Sequence, residues 1–353
     1  MIDINENTIF TLVSLTIGIV YGIIAQRKQF CFSGGIKDLI LFKHTRRTAS
    51  LIVAITTAII STQFISYLYD IDLTQTRYYI NINYLFIIIG GSLFGYGMMI
   101  SDGCSSRHLI KLAQKDKDSF FVLIALGIFS YITYSFLSNY SEILNSYSFI
   151  SFFKVENSFS LDYFVIGTIL TYLLYLSLNK CVNIFQCWDG FLIGLIIALV
   201  WYCTTILASD LFIDISAQSL SFVYPLGKII ETFKSGFDTT NLIFLVWIVL
   251  GVIIGAFISS LYNPLYSKKL QCDNSQQNPP KLAQKILGGA MMGIGGILTV
   301  GCTVGQGLSG VSTLSFASFL SICSIYISAY FTAKKMQKSN ALIACFIFDF
   351  NKK

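Results

Sequence analysis

One 15-residue pattern occurs twice in this chain. Gly90-Gly91-Ser92-Leu93-Phe94-Gly95-Tyr96-Gly97-Met98-Met99-Ile100-Ser101-Asp102-Gly103-Cys104 aligns without a gap to Gly288-Gly289-Ala290-Met291-Met292-Gly293-Ile294-Gly295-Gly296-Ile297-Leu298-Thr299-Val300-Gly301-Cys302. The six identities are five glycines and the closing cysteine. A segment that only had to be apolar would keep apolarity, not glycine spacing and a terminal thiol. The chain is read as two related halves, each closing its motif on a Gly-Cys pair.

Of the 353 residues, 54% are hydrophobic and 12% charged, against roughly 25% charged in an average soluble domain. Apolar runs recur along the whole length, long enough to cross a hydrocarbon core of roughly 30 Å. The expected fold class is an all-α polytopic membrane protein, a single transmembrane domain over 1–353 with about nine transmembrane helices. Their approximate positions are 8–25, 48–69, 82–101, 119–138, 161–179, 188–208, 241–263, 286–301 and 312–333. Met1–Thr8 is acidic and lacks a basic leader, which argues against a cleavable signal. The nine cysteines form no CxxC, and of the two histidines only His108 stands near a cysteine, four residues from Cys104. No second pair completes a metal site, and no phosphate-binding loop suggests ATP-driven transport or another cofactor.

Charge sets an expected orientation. With the N-terminus outside, the inner segments 26–47, 102–118, 180–187, 264–285 and 334–353 hold twenty of the 24 basic residues. The outer segments hold only Arg77, Lys154, Lys228 and Lys234. This follows the positive-inside rule, with the C-terminus cytoplasmic. The net charge of +6 is thereby explained by topology and calls for no nucleic acid partner.

Two weaker echoes extend the repeat. Gly18/Gly22 with Cys31 matches Gly190/Gly194 with Cys203, and Phe64–Tyr69 matches Phe257–Tyr262. The halves become approximately 8–140 and 188–335, linked by span 161–179. Equivalent spans lie five apart, so they run in opposite directions. That is an inverted repeat, whose site is expected near the midplane between the halves.

The chemistry-bearing candidates follow. Gly91/Gly95, Gly289/Gly293, Gly18/Gly22, Gly190/Gly194 and Gly251/Gly255 are GxxxG pairs, which let helices approach closely. Gly103 and Gly301 are expected to free the backbone to turn. Ser105, Ser106 and Thr303 are then placed to cap short helices that cannot span the membrane. Such re-entrant half-helices are tolerated only inside protein or beside a cavity, where their N-termini favour an anion. Gln26–Gly35, carrying Phe30-Cys31-Phe32, reads as a further loop dipping into the membrane. Thiols in a narrow apolar lane suit a soft, sulfur-bearing ligand, because neutral S–H is a weak donor and sulfur is polarisable. Cys31, Cys104 and Cys302 are the candidates. Cys181, Cys187, Cys272, Cys323 and Cys345 read as small buried hydrophobes, as does Cys203. Arg27 reads as a topogenic charge or an anion-steering one, and His108 as a solvated loop residue. The stretch 341–350 is too short to span and is placed on the inner surface. Asp102, Asp162, Asp189 and Asp210 fall only at span ends, so no fixed charge is expected deep in the path.

The paired Gly-Cys motifs, the Arg27-Lys28-Gln29-Phe30-Cys31 loop and the glycine-rich spans resemble the YeeE/YedE family of bacterial sulfur transporters, over roughly 10–335. The resemblance implies thiosulfate uptake across the bacterial inner membrane along a path lined by Cys31, Cys104 and Cys302. It also implies work beside a small TusA-like sulfur-relay protein, and in some relatives a selenium compound as ligand. In this reading each thiol hands the anion on through transient contacts, with no enzymatic chemistry. A membrane thiol-redox or persulfide-transfer protein remains the alternative from the residues alone. It would want cysteines paired closely enough to form a disulfide.

Overall fold

The computed structural model describes residues 6–43, 45–146, 154–157, 167, 187–210, 217–234, 244–262 and 280–342. The expected span 161–179 and the stretch 343–350 lie outside them apart from residue 167, as do Cys181, Cys272 and Cys345.

The first six helices are α1 (Glu6–Lys28), α2 (Phe32–Leu41), α3 (Arg46–Leu68), α4 (Tyr84–Ile100), α5 (Ser105–Ala113) and α6 (Lys117–Ser146). The next six are α7 (Trp188–Tyr202), α8 (Val223–Lys234), α9 (Phe244–Tyr262), α10 (Leu282–Leu298), α11 (303–312) and α12 (Phe316–Lys338). The middle of α11, Gly305–Gly310, winds as a π-helix, and so does Cys203–Leu207 after α7. Two short strands, β1 (Ile80–Asn83) and β2 (Lys154–Asn157), pair antiparallel. Among the described residues seven helical stretches are long and apolar enough to cross a membrane. The chain is an all-α polytopic membrane protein, and each expected span outside 161–179 falls on a helix.

The outward faces of these helices are apolar: Ile60, Phe64, Ile88, Leu199 and Phe331 are exposed. Water would penalise such a surface by about 25 cal/mol per Å², whereas lipid does not. Inside the bundle the hydrophobic drive is therefore weak, and close packing takes over. That is where the glycines act. On α4, Gly90 and Gly97 face α10 while Gly91 and Gly95 face α12. On α10, Gly288 and Gly295 face α4 while Gly289 and Gly293 face α6. A Cβ on Gly288 would stand 2.7 Å from the Gly97 carbonyl oxygen, and one on Gly289 2.6 Å from that of Val122. Gly18 and Gly22 meet α9 in the same way, as do Gly190 and Gly194 at α3. All the GxxxG pairs serve helix packing.

The packing has a regular plan. Helix α1 packs on α9 and α7 on α3; α4 packs on α12 and α10 on α6; α4 also packs on α10. The short helices follow suit. Helix α2 lies on α3 and α12, α8 on α9 and α6, α5 on α6 and α9, and α11 on α12 and α3.

Gly97→Val is expected to destabilise the protein by about 1–3 kcal/mol, since its branched side chain must push α10 away. Ile88→Ala, on the exposed face of the same helix, is expected to shift the unfolding midpoint far less. Thermal unfolding of the two purified variants in one detergent checks this.

Candidate functional site

Three helix corners of one design carry the three candidate cysteines. At each, an amide reaches back across the last turn: Phe30 N–H to the Ala25 carbonyl at 3.1 Å, Gly103 N–H to Met98 at 3.1 Å, and Gly301 N–H to Gly296 at 2.8 Å. The residue before that amide is left-handed, with φ of 56° at Gln29, 66° at Asp102 and 61° at Val300. This is the Schellman termination, made here without glycine at the left-handed position. One residue further stands the cysteine, and a new short helix begins.

Cys31 and Cys104 are themselves the N-caps of α2 and α5. The Cys31 sulfur accepts the Gly34 N–H at 3.4 Å, and the Cys302 sulfur accepts the Gly305 N–H at 3.3 Å. Cys31 Sγ lies 3.0 Å from Ser33 Oγ, and Cys104 Sγ lies 3.3 Å from Ser106 Oγ. The N-cap position expected of Ser105, Ser106 and Thr303 thus belongs to the cysteines, with a sulfur accepting an amide at Cys31 and Cys302 and no side-chain cap bond at Cys104. The Ser105 and Thr303 hydroxyls are buried without a hydrogen-bond partner among the described residues. The expected role of the glycines also changes. Asp102 and Val300 make the turns, while Gly103 and Gly301 make room. A Cβ at Gly103 would stand 2.9 Å from Arg107 Cγ, and one at Gly301 3.2 Å from Gln306 Cγ.

Helices α4 and α10 run antiparallel, so their cysteine ends point opposite ways. The short helices fold back, and the corners converge. A single cavity is lined by Phe30, Cys31, Phe32, Cys104, Ser106 and Thr303, with Val304 and Leu308 of α11. Its volume is about 10 Å³, close to the room one water needs. Cys31, Cys104 and Cys302 are all buried and free of disulfides. Cys31 and Cys104 both line the cavity. Tyr21 of α1, fully buried, stands within electrostatic reach of all three thiols.

A layer of charge surrounds the Cys31 and Cys104 corners. Asp102 takes Lys37 on one carboxylate oxygen and Lys111 on the other, the latter at 2.6 Å. Lys111 also donates to the Asp102 carbonyl at 2.9 Å. Arg47 donates to Asp38 at 3.2 Å and to Gln29 at 3.1 Å. Arg107 is buried too, with its side chain against Gly103. These charges, expected at span ends, are buried in the bundle, while the cavity lining itself carries no charged side chain. The expectation for His108 is corrected in the same way. It is buried, its Nδ1 lies 3.0 Å from Ser119 Oγ, and it is no loop residue.

The far side, around Cys302, is closed by the segment between α3 and α4. Tyr79 donates its hydroxyl to the Thr313 carbonyl at 2.6 Å, Ser315 donates to the Tyr78 carbonyl at 2.6 Å, and Arg77 donates to Gln218. Burial pushes the Tyr78 phenol up to about 12, so it is neutral at physiological pH.

Other sequence candidates stand apart. Arg27 is exposed in the last turn of α1. Cys302 does not itself line the cavity, which takes its neighbours Thr303 and Val304 instead; Cys203, buried at the start of its π-helix, neither lines it nor adjoins a residue that does. Cys187 is buried against Ala49. Cys323, expected as a buried hydrophobe, is exposed on α12. Tyr21, Arg47 and Arg107 were not singled out by sequence. Arg107 had a usable signal, since it follows the capping Cys104 by three residues and so returns to the same face of α5.

Comparison with known proteins agrees with this architecture. The family model described as sulphur transport matches residues 27–331. A thiosulfate transporter TsuA of Spirochaeta thermophila is 27% identical over 334 residues, covering 87% of this chain and 93% of that protein. A thiosulfate transporter TsuA of Escherichia coli K12 is 22% identical over 337 residues, covering 88% and 90%. These are transporters, not enzymes. The matched region takes in all three cysteine corners, and the chain belongs to the YeeE/YedE family of sulfur transporters.

Proposed function

We propose that this chain takes up thiosulfate across the bacterial inner membrane, along a path that passes Cys302, then Cys104 and Cys31. The observation that carries the reading is the convergence of three helix starts on one buried cavity, with Cys31 and Cys104 in its lining and Cys302 directly behind the lining residue Thr303. Each start offers a thiol and the positive end of a short helix. Thiols are soft, weak donors that suit the terminal sulfur of thiosulfate and let it go again. The names of the relatives support the substrate. A cavity of about 10 Å³ is far too small for an ion of five heavy atoms, so passage requires the corners to part.

The path runs between two inverted halves. The packing plan supports this: exchanging α1–α6 for α7–α12 in order turns α1 on α9 into α7 on α3, and α4 on α12 into α10 on α6. The short helices exchange equally, with α5 on α9 becoming α11 on α3. By this exchange the counterpart of the Cys31 corner is the segment entering α8 at Ser221 and Phe222, rather than Cys203. The N-terminus lies outside and the C-terminus in the cytoplasm, as the basic residues of the loops require. A TusA-like carrier that accepts sulfur at the cytoplasmic face fits the same route.

The presence of Cys31 and Cys104 in one cavity lining favours one second reading, persulfide or disulfide chemistry at that pair. In a pure transport cycle both thiols stay reduced, and mass spectrometry of protein trapped during thiosulfate uptake is expected to find neither adduct. A stoichiometric disulfide or persulfide on Cys31 or Cys104 would move the assignment to the redox reading.

In cells stripped of other sulfate and thiosulfate importers, uptake of sulfur-labelled thiosulfate is expected to need this chain. Cys31→Ala, Cys104→Ala and Cys302→Ala should each lower the initial rate at least about tenfold, the equivalent of about 1.4 kcal/mol. Cys203→Ala should leave it near the wild-type rate. Normal uptake by both Cys104→Ala and Cys302→Ala would defeat the thiol path. A reporter fused at the C-terminus is expected to be active only in a form that works in the cytoplasm.

A further inference from the structure

The repeat motif closes on Cys104 and on Cys302, and a hydroxyl residue follows each, Ser105 and Thr303. Both hydroxyls are buried, and neither has a hydrogen-bond partner among the described residues. Of the two, Thr303 lines the cavity between the corners. It is 2% exposed, and its companions in the lining from α11 are Val304, Gly307 and Leu308, which offer no polar side chain. The other hydroxyl of the lining is engaged: Ser106 Oγ lies 3.3 Å from Cys104 Sγ.

The build of the corner explains why the Thr303 hydroxyl stays unpaired. A threonine within a helix commonly donates to a carbonyl three or four residues back, as Thr299 does to Gly295 at 2.8 Å. Thr303 is the first residue of α11, so the carbonyls behind it belong to the turn. Those are already taken. Gln306 donates its side-chain amide to the Thr299 carbonyl, the Thr299 hydroxyl also reaches the Gly301 carbonyl at 2.7 Å, and the Gln306 N–H takes the Cys302 carbonyl at 2.7 Å. The corner completes its own hydrogen bonds and leaves one donor over. A buried hydroxyl without an acceptor lowers stability, and valine would fill the same space without that cost. The folded chain therefore has no use for this donor, and an acceptor that enters the cavity does.

Resting on the transport reading above, we propose that Thr303 is a substrate-binding residue, whose hydroxyl donates to an oxygen of the passing anion while the thiols of Cys31 and Cys104 meet its sulfur. A thiol is a weak, polarisable donor and a hydroxyl a stronger, harder one. Together they recognise an anion that carries soft sulfur at one end and oxygen at the other. They also fix its direction, with the sulfur towards the Cys31 and Cys104 corner and an oxygen towards α11. An ionised acceptor strengthens the hydrogen bond that the hydroxyl makes.

The test uses the purified full-length chain in detergent, with thermal unfolding followed against sodium thiosulfate at constant ionic strength. Thiosulfate is expected to stabilise the wild type. Thr303→Val, which keeps the shape and removes the donor, should raise the half-saturating concentration at least about tenfold. Without the anion its unfolding midpoint should be no lower than that of the wild type, because an unpaired buried hydroxyl has gone. Thr303→Ser, which keeps the donor and loses a methyl group, should stay within about threefold of the wild type. A Thr303→Val protein with wild-type half-saturation overturns the inference, and so does a Thr303→Ser protein as impaired as Thr303→Val. A wild type that thiosulfate does not stabilise overturns it as well. If Thr303→Val does not fold, Thr303→Ala replaces it with the same expected loss. The transport reading is judged separately by uptake of labelled thiosulfate into cells with and without the chain. Uptake that needs the chain, together with unaltered binding by Thr303→Val, removes the role of Thr303 and leaves transport standing.

Discussion

A backbone amide or carbonyl at membrane depth has no water to bond, and leaving it bare costs several kcal/mol. This constraint governs every place where the chain breaks a helix inside the bundle. The three cysteine corners meet it with one device. The reach-back bonds at Phe30, Gly103 and Gly301 take up carbonyls of the ending helix, and the sulfurs of Cys31 and Cys302 take up amides of the starting one. A left-handed residue joins the two. For Val300, which is β-branched, that conformation is strained by roughly 1–3 kcal/mol. Cys31 is therefore structural and faces the cavity at once, while Cys302 is held behind the lining residue Thr303. Their positions follow from main-chain geometry, because a cysteine adds only one rotatable bond.

Holding such corners together requires helices that approach to backbone contact. Lipid supplies little hydrophobic drive between apolar helices, so the energy comes from dispersion over close surfaces. The two glycine faces of α4, one towards α10 and one towards α12, make that approach possible, and α10 presents the matching pair. A repeat motif that carries two glycine faces is thus the packing instruction for two interfaces. Its terminal cysteine belongs to the next element.

Much of this was legible in sequence. Apolar run length placed the spans, and GxxxG spacing marked the interfaces. The shared Gly-Cys ends of 90–104 and 288–302 marked two corners, and the 26–35 segment marked the third. The misreadings have a common cause. Sequence places a short helix after Cys104 but sets Asp102 at a span end and leaves His108 solvated, because charged residues between apolar runs read as facing water. The chain instead turns back at Asp102 and carries them inward on α5, where spacing along the chain no longer reports depth. The assignment of turning to Gly103 failed for a related reason. Glycine next to a left-handed residue looks like the turning residue itself, and only the position of the Arg107 side chain shows that its hydrogen answers a steric demand. Tyr21 carried no signal, because an aromatic within an apolar helix is indistinguishable from core until its neighbours are known.

Each of the short helices α5 and α11 rests on a long helix from the other group of six, α9 and α3 respectively. A shift of one group against the other is therefore felt at the Cys104 and Cys302 corners together and in opposite senses. A membrane that maintains a voltage cannot tolerate a continuous thread of water through a carrier, since protons and small ions would follow it. In the structure as it stands, electrical tightness needs no separate plug or lid, because the packed corners leave room for about one water molecule between them.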